Sequence, residues 1–405
     1  RQVAERDGVV LKPDMIRADS SRLAPIPEAG KNTAGATGAP SLPIRRLVFT
    51  RTLLPPPSGR SLELSPGQAV AVLDFGQGEQ FAEELVTALQ EQFGVAIRKR
   101  SLSGTLDPAT PAGRAALSAE LSGMPRLAGV IMVWDGGAGV NPAGGWQAVN
   151  ARLAAGLAVV QALVRSPERK LAMAVFREPV DAECTDPLGE GMLGMFLSAA
   201  HEYSSVKFRV LRLGAGVSAA PAWRQALDAA RPEVEWGFEK GQTWTSLVQA
   251  QPLSYSADVA PFAAGQVIVV SGGAGGVTAR LAEALIPFGP KLILVGRSEP
   301  SSPRVQETLS RISAKGGSAQ YYQADVADAG QVQALIRTVV GEHGRVDGII
   351  HGAGIIRDAL VENLTDANFA AVVGVKLGGA WNLWQAARGQ GLQFLVSLSS
   401  MAGVL

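Results

Sequence analysis

The run Gly272-Gly273-Ala274-Gly275-Gly276-Val277 stands directly behind the apolar residues Val267-Ile268-Val269-Val270 and ahead of a helical pattern through Leu281, Ala284 and Leu285. Strand, glycine turn and helix start, in that order, make a cradle for a pyrophosphate. Glycines let the backbone turn sharply and come close to the phosphates, while free N–H groups and the positive helix end face the negative charge. A glycine cluster between two elements is otherwise an ordinary turn, so its neighbours carry the distinction. The next strand, Leu292-Ile293-Leu294-Val295, runs into Gly296-Arg297-Ser298. A site for the non-phosphorylated cofactor would place an Asp or Glu there for the ribose hydroxyl, whereas a guanidinium pairs with a 2′-phosphate through its planar fork. The pattern points to NADPH, with a surface arginine at a strand end as the plain alternative. Asp325-Val326, behind the third strand, is placed to hydrogen-bond an adenine amino group; an Asp starting a helix serves equally as an N-cap.

These residues need a scaffold, and the pattern around them supplies one. From Gln266 onward strands over 267–270, 292–295, 320–323, 348–350 and 394–398 alternate with helices over 277–286, 305–315, 331–340 and 368–387. That is an α/β, doubly wound parallel sheet. Such a domain would continue past Leu405, so this second unit is expected to be incomplete. Upstream lies another alternation, with strands over 69–73, 127–134, 171–176 and 208–213 and helices over 79–93, 146–164 and near 192–202. Its Asp74-Phe75-Gly76-Gln77-Gly78 is only a partial phosphate loop, so this Rossmann-like unit is expected to be structural. The domain reading is a flexible linker over 1–43, a structural subdomain over 44–262 and a nucleotide-binding subdomain over 263–405. The linker ends in small residues, Glu28 to Pro40, that cannot bury enough surface to offset ordering. The first strand opens at Leu47-Val48-Phe49 and closes at Pro55-Pro56-Pro57, because proline cannot donate to a ladder.

Composition narrows the function classes. With 37 basic and 36 acidic residues in 405, the formal charge is +1, and no broad field advertises nucleic acid or an anionic membrane. Arg98-Lys99-Arg100 reads as a solvated strand end, with a docking patch as the alternative. Cys184 is the only cysteine, which excludes intramolecular disulfides and a cysteine-based zinc cluster and fits a reducing, cytoplasmic setting. His201, His343 and His351 are too scattered for a metal-ligand spacing, so no metal is expected. The apolar helix around 153–164 reads as too short and alanine-rich to span a bilayer, and Arg1-Gln2-Val3-Ala4 opens no signal-peptide hydrophobic region. A chain starting at Arg reads as part of something longer.

Further motifs occur in order. Ser271 to Thr278, Val295-Gly296-Arg297-Ser298, Ala324-Asp325-Val326, His351-Gly352-Ala353-Gly354, Val375-Lys376 with Gly379-Ala380-Trp381-Asn382-Leu383, and Ser397-Leu398-Ser399-Ser400-Met401-Ala402-Gly403 follow one another at family spacing. The chain from about Leu47 to Leu405 resembles a ketoreductase domain of a modular polyketide or polyunsaturated fatty acid synthase, in the short-chain dehydrogenase/reductase superfamily. Glu235 to Trp244 resembles the strand pair that closes the structural subdomain of such domains.

The resemblance implies a substrate, a 3-ketoacyl chain on the phosphopantetheine arm of an acyl carrier protein, reduced with NADPH to the 3-hydroxyacyl form among neighbouring synthase domains. It implies Lys376 and Ser400 as catalytic residues. It adds Val277, Ser298, Val326, His351, Gly352, Ala353 and Gly354 to the cofactor set of Gly272, Gly273, Ala274, Gly275, Gly276, Arg297 and Asp325. Stand-alone reductases of the superfamily place an asparagine at the position of Lys376 and a lysine after the tyrosine; synthase ketoreductases exchange the two. Ile356-Arg357-Asp358 aligns with the Leu-Asp-Asp motif of D-hydroxy products, Asp358 matching and Arg357 not. Thr278 departs from the family's last glycine, leaving it to cap the helix or bind a phosphate. The family's tyrosine would follow Leu405, so residues 1–405 alone are expected to be inactive. A non-catalytic scaffold and a stand-alone NADP-dependent dehydrogenase are the competing readings.

Overall fold

Mostly apolar strands build two sheets, one mixed and one parallel, each coated by helices, in a computed structural model. It describes residues 5–6, 9–10, 46–55, 67–75, 79–93, 96–102, 106–134, 145–166, 168–177, 187–214, 217, 222, 226–227, 230–251 and 263–399. Of the segment read as a linker, only Glu5–Arg6 and Val9–Val10 are among these, as a short antiparallel pair.

The first unit comprises β1 (Arg46–Leu53), β2 (Ala69–Asp74), α1 (Glu79–Phe93), β3 (Ala96–Ser101), α2 (Pro111–Gly123), β4 (Leu127–Trp134), α3 (Gly145–Val164), β5 (Leu171–Arg177), α4 (Pro187–Glu202), β6 (Lys207–Leu213), β7 (Glu235–Glu239) and β8 (Gln242–Gln251). The sheet order is β1-β8-β7-β6-β5-β4-β2-β3, parallel from β3 to β7 and antiparallel at the β7–β8 and β8–β1 ladders. Strands β2 and β4 are buried along their whole length, which is why they read as unbroken apolar runs. The β7–β8 hairpin turns through Lys240 and Gly241, both at positive φ, the backbone of a type I′ turn matched to strand twist.

Two elements escaped the pattern reading. Strand β3 holds Arg98-Lys99-Arg100 inside an edge strand, not at a strand end, with Lys99 on Glu83 at 2.5 Å and Arg100 on Glu120 at 2.6 Å. Helix α2 opens on Thr110, whose side chain accepts from Gly113 N–H. A third reading is corrected: α3 runs 20 residues and is long and apolar enough to cross a membrane by length and composition. Leu153 and Ala154 to Val160, with Ala162 and Leu163, are instead buried within the protein.

The second unit comprises β9 (Val267–Ser271), α5 (Gly276–Leu285), β10 (Lys291–Gly296), α6 (Pro303–Ala314), β11 (Ser318–Gln323), α7 (Ala329–His343), β12 (Gly348–His351), α8 (Asp366–Val373), a π-turn (Gly374–Gly378), α9 (Gly379–Ala387) and β13 (Phe394–Ser397). Its sheet is parallel in the order β11-β10-β9-β12-β13. Strand order therefore reverses between β9 and β12, and in the first unit between β2 and β4.

The units share a core. Val361 belongs to the buried cluster of the first unit, and Leu364, Phe369 and Leu377 pack against it. Polar contacts fix the same segment. Gln161 donates to the carbonyls of Val361 and Leu364 at 2.8 and 2.7 Å, Glu202 accepts from Val361 N–H at 2.7 Å, and Arg165 donates to the Glu362 carbonyl. Arg114, nearly buried, reaches Asp366 at 2.6 Å.

Candidate functional site

The site begins where β9 ends. Gly272 has φ +70°, and a Cβ there would lie 2.9–3.0 Å from the backbone of Gly352 and Ala353. Both the dihedral and the close approach exclude a side chain. Gly276 has φ +56° and opens α5 behind Gly275, which offers no side-chain cap. The first-turn N–H groups of α5 are therefore left to water or an anion. Gly273 and Ala274 complete the turn, and Val277 is exposed beside it.

Thr278 does not cap the helix. It is buried, and its hydroxyl lies 3.5 Å from the Gly352 carbonyl, so it joins α5 to the loop after β12. Helix α5 is itself moored by Glu283, a buried carboxylate facing Arg311 at 2.9 Å and Lys315 at 2.6 Å. The Lys315 hydrogen bond, and after the opposing effect of burial that of Arg311, hold the Glu283 carboxyl below its usual range.

Arg297 and Ser298 lie exposed past β10. Their main chain is pinned by β11: Tyr321 donates to the Ser298 carbonyl at 2.9 Å and Gln323 to that of Arg297 at 3.1 Å. The Arg297 guanidinium has no hydrogen bond or ion pair among the described residues. Nor has that of Arg304, which sequence reasoning missed; it lies over the turn, so close that a Cβ on Gly275 would collide with it. Only its place in α6 against a distant glycine reveals it. Asp325 is not the N-cap of α7. That residue is Asp328, while Asp325 accepts from Ala327 N–H at 3.0 Å and its own N–H donates to Gln331. Val326 is buried against Gly379.

On the far side of the strand-order reversal, His351 ends β12 and is 1% exposed. Its Nδ1 lies 2.7 Å from Ser271 Oγ and its Nε2 3.0 Å from the Lys376 carbonyl. Burial pushes its pKa down, against the opposing hydrogen bonds to the carbonyls of Lys376 and Val375. Gly352, Ala353 and Gly354 follow. Gly352 meets Gly272 on one side, and Lys376 Cε comes 3.6 Å from the place of a Gly354 Cβ on the other. The loop thus bridges the glycine turn and Lys376, which is exposed on the π-turn. Asp358 lies in the exposed stretch 356–360. Ser400, with Met401 to Gly403, lies outside the described residues.

Residues 266–405 match the KR domain family. Over 138 residues the chain is 34% identical to the highly reducing polyketide synthase alnA of Emericella nidulans, and over 137 residues 32% identical to the phthioceranic/hydroxyphthioceranic acid synthase of Mycobacterium tuberculosis. Each alignment covers 34% of this chain and 6% of the relative, so the chain spans a small part of their length. The fold extends the likeness to the first unit. The N-terminal ketoreductase of the macrolactin assembly line superposes at TM-score 0.70 with 18% identity, over 89% of this chain and 75% of that one. The first ketoreductase of the tylosin synthase gives 0.67 with 22% identity, over 89% and 74%.

Proposed function

We propose, for a chain whose residues 266–405 belong to the KR domain family, that it serves the NADPH-dependent reduction of a 3-ketoacyl thioester to the 3-hydroxyacyl form, the acyl chain being carried by an acyl carrier protein within a multidomain synthase. The observation that supports this most is the bridge from Gly272 through Gly352 and Gly354 to Lys376, which brings the glycine turn and an ammonium side chain to the two sides of one short loop. The residues fit a 2′-phosphorylated dinucleotide. The turn Gly272-Gly273-Ala274-Gly275-Gly276 would hold the pyrophosphate, Arg297 and Ser298 the 2′-phosphate, and Asp325 with Val326 the adenine.

NADPH, when bound, supplies the hydride. The chain's own residues then manage charge and protons. Ser400 would donate a hydrogen bond to the substrate carbonyl oxygen as negative charge develops on it. Lys376 would favour the phenolate of the family's tyrosine, lowering its pKa and easing proton delivery to that oxygen. Asp358 would bias the product toward the D-hydroxy form.

Nucleotide titration tests the cofactor. NADPH should bind more tightly than NADH, and Arg297→Glu should remove the preference, a loss of about 1.5–3 kcal/mol for charge-assisted hydrogen bonds; equal affinity of the unaltered chain for both nucleotides would overturn it. The reaction is tested with a 3-ketoacyl thioester in protein that includes the family's tyrosine. There Lys376→Ala should depress reduction far more than NADPH affinity, whereas absence of any turnover in the unaltered protein would favour a scaffold.

A further inference from the structure

The helix that carries Lys376 is not uniform. Between Asp366–Val373 and Gly379–Ala387 the five residues Gly374–Gly378 form a π-turn. A π insertion disturbs the regular i→i−4 ladder and leaves carbonyls seeking other donors. The Lys376 carbonyl takes the Gly379 N–H and, from outside the helix, His351 Nε2 at 3.0 Å. A carbonyl only accepts, so Nε2 carries the hydrogen. In the neutral ring Nδ1 is then an acceptor, and Ser271 Oγ–H donates to it at 2.7 Å. Ser271 Oγ in turn accepts from Ala353 N–H at 3.3 Å. Each ring nitrogen has one role, Ser271 Oγ both donates and accepts, and the chain of donors specifies a single tautomer. Trp146 of α3 also closes on the π-turn, its indole 2.8 Å from where a Cβ on Gly378 would sit.

We propose that His351 is a positioning residue for Lys376: its Nε2–H holds the Lys376 carbonyl, so that the π-turn carries the side chain over Gly354, and Ser271 ties that geometry to the strand that opens the glycine turn. His351 acts through the main chain of Lys376. The idea rests on the proposed catalytic role of Lys376, but its test reads geometry and not turnover, so the two can fail separately.

The experiment uses the chain labelled with 15N-histidine and 13C-lysine. The His351 signals are assigned by their loss in His351→Gln, and the Lys376 signal by its loss in Lys376→Arg. The Nε2–H tautomer is expected at His351. The Lys376 Cε signal should be displaced from its random-coil position in the unaltered chain, collapse toward it in His351→Leu, and recover in His351→Gln, whose amide N–H can reach the same carbonyl. An Nδ1–H tautomer, an unmoved Lys376 signal in His351→Leu, or a glutamine no better than leucine overturns the proposal. Should His351→Leu not fold, Ser271→Ala decides: it removes the donor to Nδ1 and must move both the His351 and Lys376 signals, and no movement of Lys376 overturns the proposal.

Discussion

The two α/β units use the same architecture and treat its natural binding crevice in opposite ways. In a doubly wound sheet that crevice lies beyond the carboxyl ends of the strands, where strand order reverses. In the first unit the reversal falls between β2 and β4, and the residues there are Phe75 and Trp134, stacked at 4.3 Å; Phe176 at the end of β5 extends the stack at 5.1 Å. In the second unit it falls between β9 and β12, where Ser271-Gly272 and His351-Gly352 stand instead. One crevice is packed with rings, and the other is lined by backbone. The same α/β topology therefore frames two different crevices, and the described residues after each strand make the difference.

Truncating the stack should give the largest effect. Trp134→Ala removes a buried ring from the middle of it and is expected to cost about 3–5 kcal/mol of stability, read by denaturant unfolding. Because the indole Nε1 has no partner among the described residues, Trp134→Phe should cost much less. A mild Trp134→Ala would mean the stack is not structural. On the other side, Gly272→Val meets both a positive φ and a backbone contact. Nucleotide affinity should fall about 100-fold, or about 2.7 kcal/mol, in a titration, with the first unit's unfolding unchanged.

The contacts between the units sharpen the comparison further. Gln161→Ala removes the side-chain donor to two carbonyls, of which Val361 keeps only the Leu364 N–H, and should loosen 361–366 by about 1–3 kcal/mol. Hydrogen exchange should show faster amides from Val361 to Gly378 and unchanged ones in β4 and β5; uniform change would deny that the first unit acts by gripping this segment. The smallest effect concerns acid. The Glu283 carboxyl lies below its unfolded value, so its contribution is fully present above about pH 4.5 and is lost as pH falls through the folded value. Glu283→Gln should lower stability at neutral pH and flatten the acid limb of the stability profile.

Much of this protein was legible from residue order. Unbroken apolar runs gave away β2, β4 and β9 because strands covered on both faces need no polar side. The glycine turn followed from local rules of backbone freedom. Local rules were weaker where side chains alternate: β3 hid because Lys99 and Arg100 are paired with Glu83 and Glu120 from helices, and Asp325 suited an N-cap that helix geometry gives to Asp328.

What the residues by themselves determined is most of the order of strands and helices, the turn that only glycine can make, and an arginine directly behind the second strand of the second unit. What only the tertiary structure decided is the surroundings of Lys376. The π-turn, the His351 ring beneath it, Trp146 beside it and Gln161 upstream of it come from segments far apart in the chain. Each depends on a carbonyl or a surface assembled only when distant segments pack, within the second unit for His351 and between the units for Trp146 and Gln161, and no local pattern of residue types encodes which distant donor will meet it.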